Sequence, residues 1–247
     1  MRIESTTNQR IKAVRRLHRG RERNKTGRTL LEGPKLIEAA LDAGVVPVQV
    51  YTVDRGPIVE RCESAGSEVI EVSRVVLETI ATTVEPQDSV AVIGIPESQP
   101  LSIERVAVLV DIADPGNLGT LIRSAAALGW QVALLGGADP WSPKVLRAGA
   151  GAHFSLQPVP VTDLSEITSL GLTTIATVIS GGLAPDEIST DTPIALLIGS
   201  ESHGLAVEMV DRCDLTMTIP MSTGSESLNA AVAGSIAMYS LAPKLRS

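Results

Sequence analysis

The sequence predicts an α/β protein: a small N-terminal α/β unit followed by a larger unit built on an open, mostly parallel sheet. Three observations carry that expectation. Strand-sized apolar runs alternate with helical stretches along nearly the whole chain, the βαβ order of a parallel sheet. The run 105–112 is rich in valine, as a strand buried on both faces requires. A length of 247 residues, 44% of them hydrophobic, is enough for two modest cores.

In chain order, Ile11, Val14 and Leu17 are spaced for one face of a helix over 8–19, with arginine and lysine on the other face. The polar stretch 20–27 reads as a loop. A helix is expected over 34–43, with Pro34 at its first position and Gly44 just past its end. A strand over 46–53, a helix over 58–65, a strand over 68–72, a helix over 74–80 and a strand over 89–93 complete the first unit. Pro96 and Pro100 among polar residues mark a linker. The expected division is therefore 1–95, a linker at 96–104, and 105–247.

In the second unit the 105–112 strand turns through Asp114-Pro115-Gly116 into a helix over 120–128, with Asn117 as its expected N-cap and Gly129 at its stop. Strands are expected over 131–135, 156–161, 174–178, 195–198 and 215–219. A helix over 230–241 closes the chain, with Ser225 and Ser227 as its expected capping residues. Gly234 inside that helix costs about 1 kcal/mol against alanine, which predicts close packing there.

Charge is unevenly spread. The net charge is −7, yet residues 1–35 hold eleven Lys/Arg against Glu4, Glu22 and Glu32, so the leading segment carries +8 and the rest −15. A basic arm on an acidic body suits a protein that grips a polyanion, and a solvated helix face has the same composition. No apolar stretch is long enough to span a membrane, and the polar, charged start lacks the pattern of a secretory leader, so a cytoplasmic protein is expected. Cys62 and Cys213 with His18, His153 and His203 make no zinc or disulfide framework, and no metal is expected.

Three segments stand where open sheets bind ligands, at the turns that follow strands. The first is Asp114 to Arg123. The second is Ile198-Gly199-Ser200-Glu201-Ser202-His203-Gly204-Leu205, and the third leads from Ile219-Pro220-Met221 through Ser227-Leu228-Asn229 into the last helix. Each has a plain alternative, as a capped turn, a small-residue loop or a buried helix start. The adjacent Glu201, Ser202 and His203 cannot converge as a catalytic triad, and the Gly-x-Ser-x-Gly elbow is absent. Neither a dinucleotide fingerprint nor a P-loop occurs. With five aromatic residues in all, a base-stacking platform is not expected.

Taken together, the three segments resemble the motifs of the SpoU (TrmH-like) family of RNA 2′-O-ribose methyltransferases, within the SPOUT superfamily. Asn117-Leu118-Gly119 with Arg123 looks like the first motif, Leu197 to Leu205 the second, and Ile219 to Ala231 the third. Arg147-Ala148-Gly149-Ala150-Gly151-Ala152 also looks like a family segment, while Asn8, Ile11-Lys12 and Leu31-Glu32-Gly33 look like the small N-terminal substrate-binding domain of rRNA-directed members.

The resemblance implies a trefoil-knotted methyltransferase domain and a homodimer that uses S-adenosylmethionine. The cofactor would lie against Ile198, Gly199, Ile219, Met221 and Leu228. Arg123 would hold the attacking ribose or an adjacent phosphate, being too weak an acid to serve as a base, with Asn117, Glu201, Ser227 and Asn229 completing the active site. Arg10, Lys12, Arg15, Arg16, Arg19, Arg21, Arg23 and Arg28 would hold RNA phosphates, with rRNA preferred to tRNA because of the separate N-terminal domain. A non-catalytic RNA-binding or ribosome-assembly module of the same fold is the other class of reading. Ser202 stands where the family commonly has glycine, and Ala230-Ala231 where a more varied pair occurs; both are small changes, and no polar motif residue is missing.

Overall fold

A computed structural model describes residues 2–101, 104–222 and 228–242. By internal contacts the chain divides into two units, 1–97 with 139–155, and 98–138 with 156–247.

The first unit begins with α1 (Gln9–Arg16), where the Asn8 side chain accepts from the Arg10 N–H and caps the helix while Ile11 and Val14 turn inward. The stretch 20–27, expected as a loop, is instead the helix α2 (Gly20–Thr26), which stops at a left-handed Gly27. It shows no apolar periodicity because the one side chain it buries is Arg23. Then come β1 (Arg28–Glu32), α3 (Pro34–Asp42), β2 (Gln49–Thr52), α4 (Pro57–Ser64), β3 (Glu68–Glu71), α5 (Arg74–Ile80) and β4 (Ser89–Gly94). The sheet order is β1-β4-β2-β3, with β4 antiparallel to both neighbours and β2 parallel to β3. One face packs on α1 and α5 through Ile11, Val14, Leu17, Tyr51 and Leu77.

The other face buries Leu31, Ile37, Val50 and Ile93 together with Trp141, Leu146 and Phe154. Those last three residues stand in the chain between two strands of the other unit, so residues 139–155 are a strap belonging to the first core. Polar bonds fasten it. Arg147 pairs with the buried Glu32 at 3.0 Å, the Thr29 hydroxyl donates to the Trp141 carbonyl at 2.5 Å, and Arg23 pairs with Asp139.

The second unit comprises β5 (Arg105–Val110), α6 (Pro115–Ala127), β6 (Gln131–Leu135), β7 (Val159–Pro160), α9 (Ser165–Thr168), β8 (Thr173–Thr177), β9 (Ile194–Ile198), α10 (Val207–Val210), β10 (Leu215–Met217) and α11 (Ala230–Ser240); α7 (Pro143–Ala148) lies in the strap and α8 (His153–Leu156) runs out of its end. All pairings in the six-stranded sheet, β10-β8-β9-β5-β6-β7, are parallel. Central β5 and β9 are apolar nearly throughout because α-helical layers leave neither face to water. The strand expected at 156–161 shrinks to two residues at the sheet edge, where Pro160 is tolerated. The helix expected from residue 120 starts at Pro115. Its N-cap is Asp114, whose carboxylate accepts from the Asn117 N–H at 2.8 Å, so Asn117 stands in the first turn and its side chain is free for other work. Asn229 caps α11 by accepting from Ala231 and Val232 N–H, while Ser225 and Ser227 lie outside the described residues.

Candidate functional site

The carboxyl ends of parallel β5, β9 and β10 carry the three segments singled out in the sequence, as the topology of open sheets requires. Behind them lies a hollow of about 150 Å³. Ile198, Gly199, Ile219, Met221 and Leu228 all line it, joined by Met217, Thr177 and the small α11 residues Ala230, Ala233 and Gly234.

Two glycines shape this hollow by close approach. A Cβ on Gly199 would lie 2.3 Å from the Gly204 carbonyl carbon, because the loop after β9 folds back on itself through a Gly204 N–H to Ser200 carbonyl bond. A Cβ on Gly234 would lie 2.5 Å from a Leu121 methyl and 2.9 Å from one of Ile198, so α11 sits against α6 and β9 at a distance only glycine permits. That is the close packing its cost in the helix predicts. Ser235 donates to the Ala231 carbonyl at 2.6 Å and Ser124 reaches Ser235 at 2.7 Å, while the Trp130 indole N–H donates to the Met238 carbonyl.

Three of the expected polar site residues form one hydrogen-bonded chain. Asn117 Nδ2 donates to Glu201 Oε1 at 2.6 Å, and Asn229 Nδ2 donates to Asn117 Oδ1 at 3.1 Å. A carboxylate only accepts, which orients the Asn117 amide and in turn that of Asn229, whose oxygen is left to cap α11. The start of α6, the loop after β9 and the start of α11 are thus tied to one another beside the hollow. Arg123 is not part of this chain. It projects from the exposed face of α6 and, among the described residues, has no hydrogen bond or ion pair. Ser227 lies outside the described residues. His203 Nδ1 bonds only the neighbouring Ser202 hydroxyl, with Glu201 engaged elsewhere, so no hydrolytic constellation forms.

The hollow is lined mostly by apolar and small residues, with Thr177, Ser200 and Glu201 as its polar side chains. A mostly apolar lining with a few polar groups suits an apolar or aromatic body that carries a polar tail. Among the described residues no group of His, Cys, Asp or Glu is arranged to hold a metal ion, and no helix is long and apolar enough to cross a membrane.

In the first unit, Lys12, Arg15, Arg16 and Arg19 line an open hollow on α1 together with His18, whose Nε2 bonds the Ile80 carbonyl. These four cations, with Arg21 and Arg28, are exposed and have no acidic partner among the described residues. Arg10 is exposed but paired with Glu68 at 2.5 Å. Arg23, expected among the phosphate ligands, is not available for that role. It is 4% exposed, and its donors are spent on the Leu17 and His18 carbonyls and on Asp139. Its partner Asp139 gives no signal in the sequence, since the two are 116 residues apart. The cap at Asp114, where Asn117 was expected, has a signal that could have found it: an aspartate directly before a proline at the first helical position.

Comparison with known proteins gives consistent results for both units. The model of the SpoU rRNA Methylase family matches residues 104–239, and that of the MRM3-like substrate binding domain matches 8–91. The chain is 33% identical to the 23S rRNA (guanosine(2553)-2′-O)-methyltransferase RlmP of Bacillus subtilis, over 97% of this chain and 98% of that one. Among solved structures, the AdoMet-bound rRNA methyltransferase from Sinorhizobium meliloti superposes with a TM-score of 0.89 at 29% identity, covering 100% of this chain and 99% of that one. The SpoU methyltransferase AviRb from Streptomyces viridochromogenes, in complex with AdoMet, gives 0.85 at 27% identity, with 95% and 97% covered.

Proposed function

The chain belongs to the SpoU rRNA methylase family, and from that membership we propose that it transfers the methyl group of S-adenosylmethionine to a ribose 2′-hydroxyl of ribosomal RNA. The observation that carries this reading is the single hollow lined by Ile198, Gly199, Ile219, Met221 and Leu228, with the Glu201, Asn117, Asn229 chain at its edge. Ribosomal RNA is preferred to transfer RNA because the chain has a separate unit that matches the MRM3-like substrate binding domain, and relatives that match along both units are named as rRNA methyltransferases.

S-adenosylmethionine, when bound, supplies a methyl group on a positively charged sulfur. Ile198, Ile219, Met221 and Leu228 would hold it between apolar walls, with Gly199 leaving its backbone open to close approach. The ribose oxygen must then be brought into line and its developing charge met. The donors of Arg123, which have no hydrogen bond or ion pair among the described residues, suit the ribose or a neighbouring phosphate and the charge growing on the attacking oxygen. Asn117, Glu201 and Asn229 act by fixing the loops, and Ser227, outside the described residues, is assigned to the active site by the family resemblance alone.

Lys12, Arg15, Arg16, Arg19, Arg21 and Arg28 hold phosphates of the RNA, and Arg10 joins them to the extent that Glu68 releases it. The working division is an RNA-binding domain over 1–95, a linker over 96–104 and a transferase domain over 105–247, with residues 139–155 serving the first domain's core. Val232, Ile236 and Tyr239 repeat at helical spacing on α11 and are exposed, an apolar stripe suited to a second copy of the chain. The reading also carries a knotted C-terminal segment and a cytoplasmic site of action, alongside the RNA.

The test is transfer of a labelled methyl group from S-adenosylmethionine to unmodified rRNA and tRNA, with nucleoside analysis and Arg123→Ala as control. A 2′-O-methylated nucleoside in the rRNA pool, reduced by about a hundredfold in the control, is the expected result. Transfer by Arg123→Ala at the parent's rate removes its role, and labelled tRNA alone replaces the substrate.

A further inference from the structure

The corner between α1 and α2 carries or adjoins the cations Lys12, Arg15, Arg16, Arg19 and Arg21, which have no acidic partner among the described residues. Arg23 lies beneath it. One guanidinium nitrogen, Nη1, donates to the Leu17 carbonyl at 2.7 Å and to that of His18 at 3.0 Å, satisfying carbonyls that the end of α1 leaves open. Nε and Nη2 donate to Asp139 Oδ2 at 2.9 and 2.5 Å. The other Asp139 oxygen accepts from the Trp141 N–H at 2.8 Å, and Trp141 is buried in the first unit's core with its carbonyl bonded to Thr29 of β1. The corner is thus anchored to the sheet through Arg23, Asp139 and Trp141, with Asp139 the one carboxylate in the path.

We propose that Asp139 is a positioning residue for RNA: through Arg23 it fixes the α1–α2 corner so that the neighbouring cations meet phosphates as a preformed array. The inference rests on the reading of this segment as the RNA-binding face. It has a sign that separates it from simple electrostatics. Removing a carboxylate close to a cationic surface strengthens attraction for a polyanion, whereas removing a positioning carboxylate costs the preorganisation of that surface and weakens binding. The side chains of Arg23 and Asp139 are 5% and 29% exposed, so the pair is shielded enough to act as a fixed joint.

The experiment uses the full chain and a single-stranded rRNA fragment as probe. Dissociation constants are measured over a range of salt for the parent, Asp139→Asn, Asp139→Glu, Arg23→Gln and the Arg23→Gln/Asp139→Asn double variant. Melting curves and S-adenosylmethionine affinity accompany them, so that a folding defect is recognised.

Asp139→Asn is expected to bind RNA roughly tenfold more weakly, with a salt slope shallower by about one phosphate contact and unchanged cofactor affinity. Asp139→Glu recovers part of the loss. The double variant binds no more weakly than Arg23→Gln alone, because both changes break the same joint. Binding by Asp139→Asn as tight as the parent's or tighter overturns the proposal, whatever its melting temperature. A parent that binds no RNA overturns the RNA-facing reading itself, and with it this role, before any variant is compared.

Discussion

Asn117 and Glu201, 84 residues apart in the chain, are joined by a 2.6 Å hydrogen bond from amide to carboxylate. Because Asn229 donates to the same Asn117 side chain, one amide bridges two otherwise separate loops. Its presence in the first turn of α6, rather than at the cap, is what frees it to do so.

Asn117→Ala leaves the Asn229 amide and the Glu201 carboxylate without their partner, and the loop after β9 loses its tie. Affinity for S-adenosylmethionine, measured by calorimetry, is expected to fall by roughly tenfold, in line with the loss of a charge-assisted hydrogen bond. Asn117→Asp sets a second carboxylate against Glu201 and is expected to be worse at neutral pH than alanine. Unchanged affinity in both variants would show that the loop is held without the amide.

Gly234→Ala sets helix propensity against packing. Alanine gains about 1 kcal/mol in an open helix, but here its methyl would meet Leu121 and Ile198 well inside contact distance. Overpacking of this kind costs about 1–3 kcal/mol. Denaturant unfolding is expected to show a net loss of stability, and a gain would mean that α11 can back away from β9.

Replacing Arg15, Arg16 and Arg19 together by glutamine removes three cations of the α1 hollow that have no acidic partner among the described residues. The slope of log Kd for rRNA against log salt is expected to fall by about two to three, with cofactor affinity unaffected. A slope equal to the parent's would make this face ordinary solvated surface.

His153 is fully buried beside Trp141, and neither ring nitrogen has a hydrogen-bond partner among the described residues. Burial, the larger cause, pushes its imidazole down from 6.5 to about 4, while the nearby Pro140 backbone acts in the opposite direction without meeting either ring nitrogen at hydrogen-bond geometry. The folded protein therefore keeps it neutral while the unfolded chain takes up a proton below about pH 6.5. This contribution to stability is whole above that pH, declines as the pH falls towards about 4, and amounts to about 3 kcal/mol in total. His153→Leu is expected to flatten that part of the stability profile measured by denaturant titration. An equally steep decline in the variant would assign the acid sensitivity to other groups.

Much of this was legible in the sequence, and the misses have physical causes. β5 and β9 announce themselves because burial on both faces leaves them nearly free of polar residues, and α11 because its sequence is apolar and small-sided almost throughout, exposed stripe included. α2 does not, because its inward contact is an arginine satisfied by a partner far along the chain, and periodicity of apolar residues cannot reveal such a helix. β1 gives little signal for a different reason: it is five residues long and only its three central residues, between charged ends, are fully buried. The site segments could be picked out one by one from turn chemistry and resemblance. Their joining through Asn117 could not, since Asn117 and Asn229 are 112 residues apart and only the parallel order of the sheet brings them together. Arg23 misled for a plain reason: a cation among cations looks like a ligand for phosphate until its burial is known.

The strap of residues 139–155 has a consequence for heredity. Because Trp141, Leu146 and Phe154 complete a core whose other members come from the first hundred residues, the two units are not cassettes laid end to end. A recombination at the proline-rich junction that swapped only the leading segment for a relative's would unite half of one core with half of another. Substitutions at Leu31, Leu36 or Ile37 must therefore be matched by changes more than a hundred positions downstream, so the two halves of the sequence are bound to diversify as one lineage.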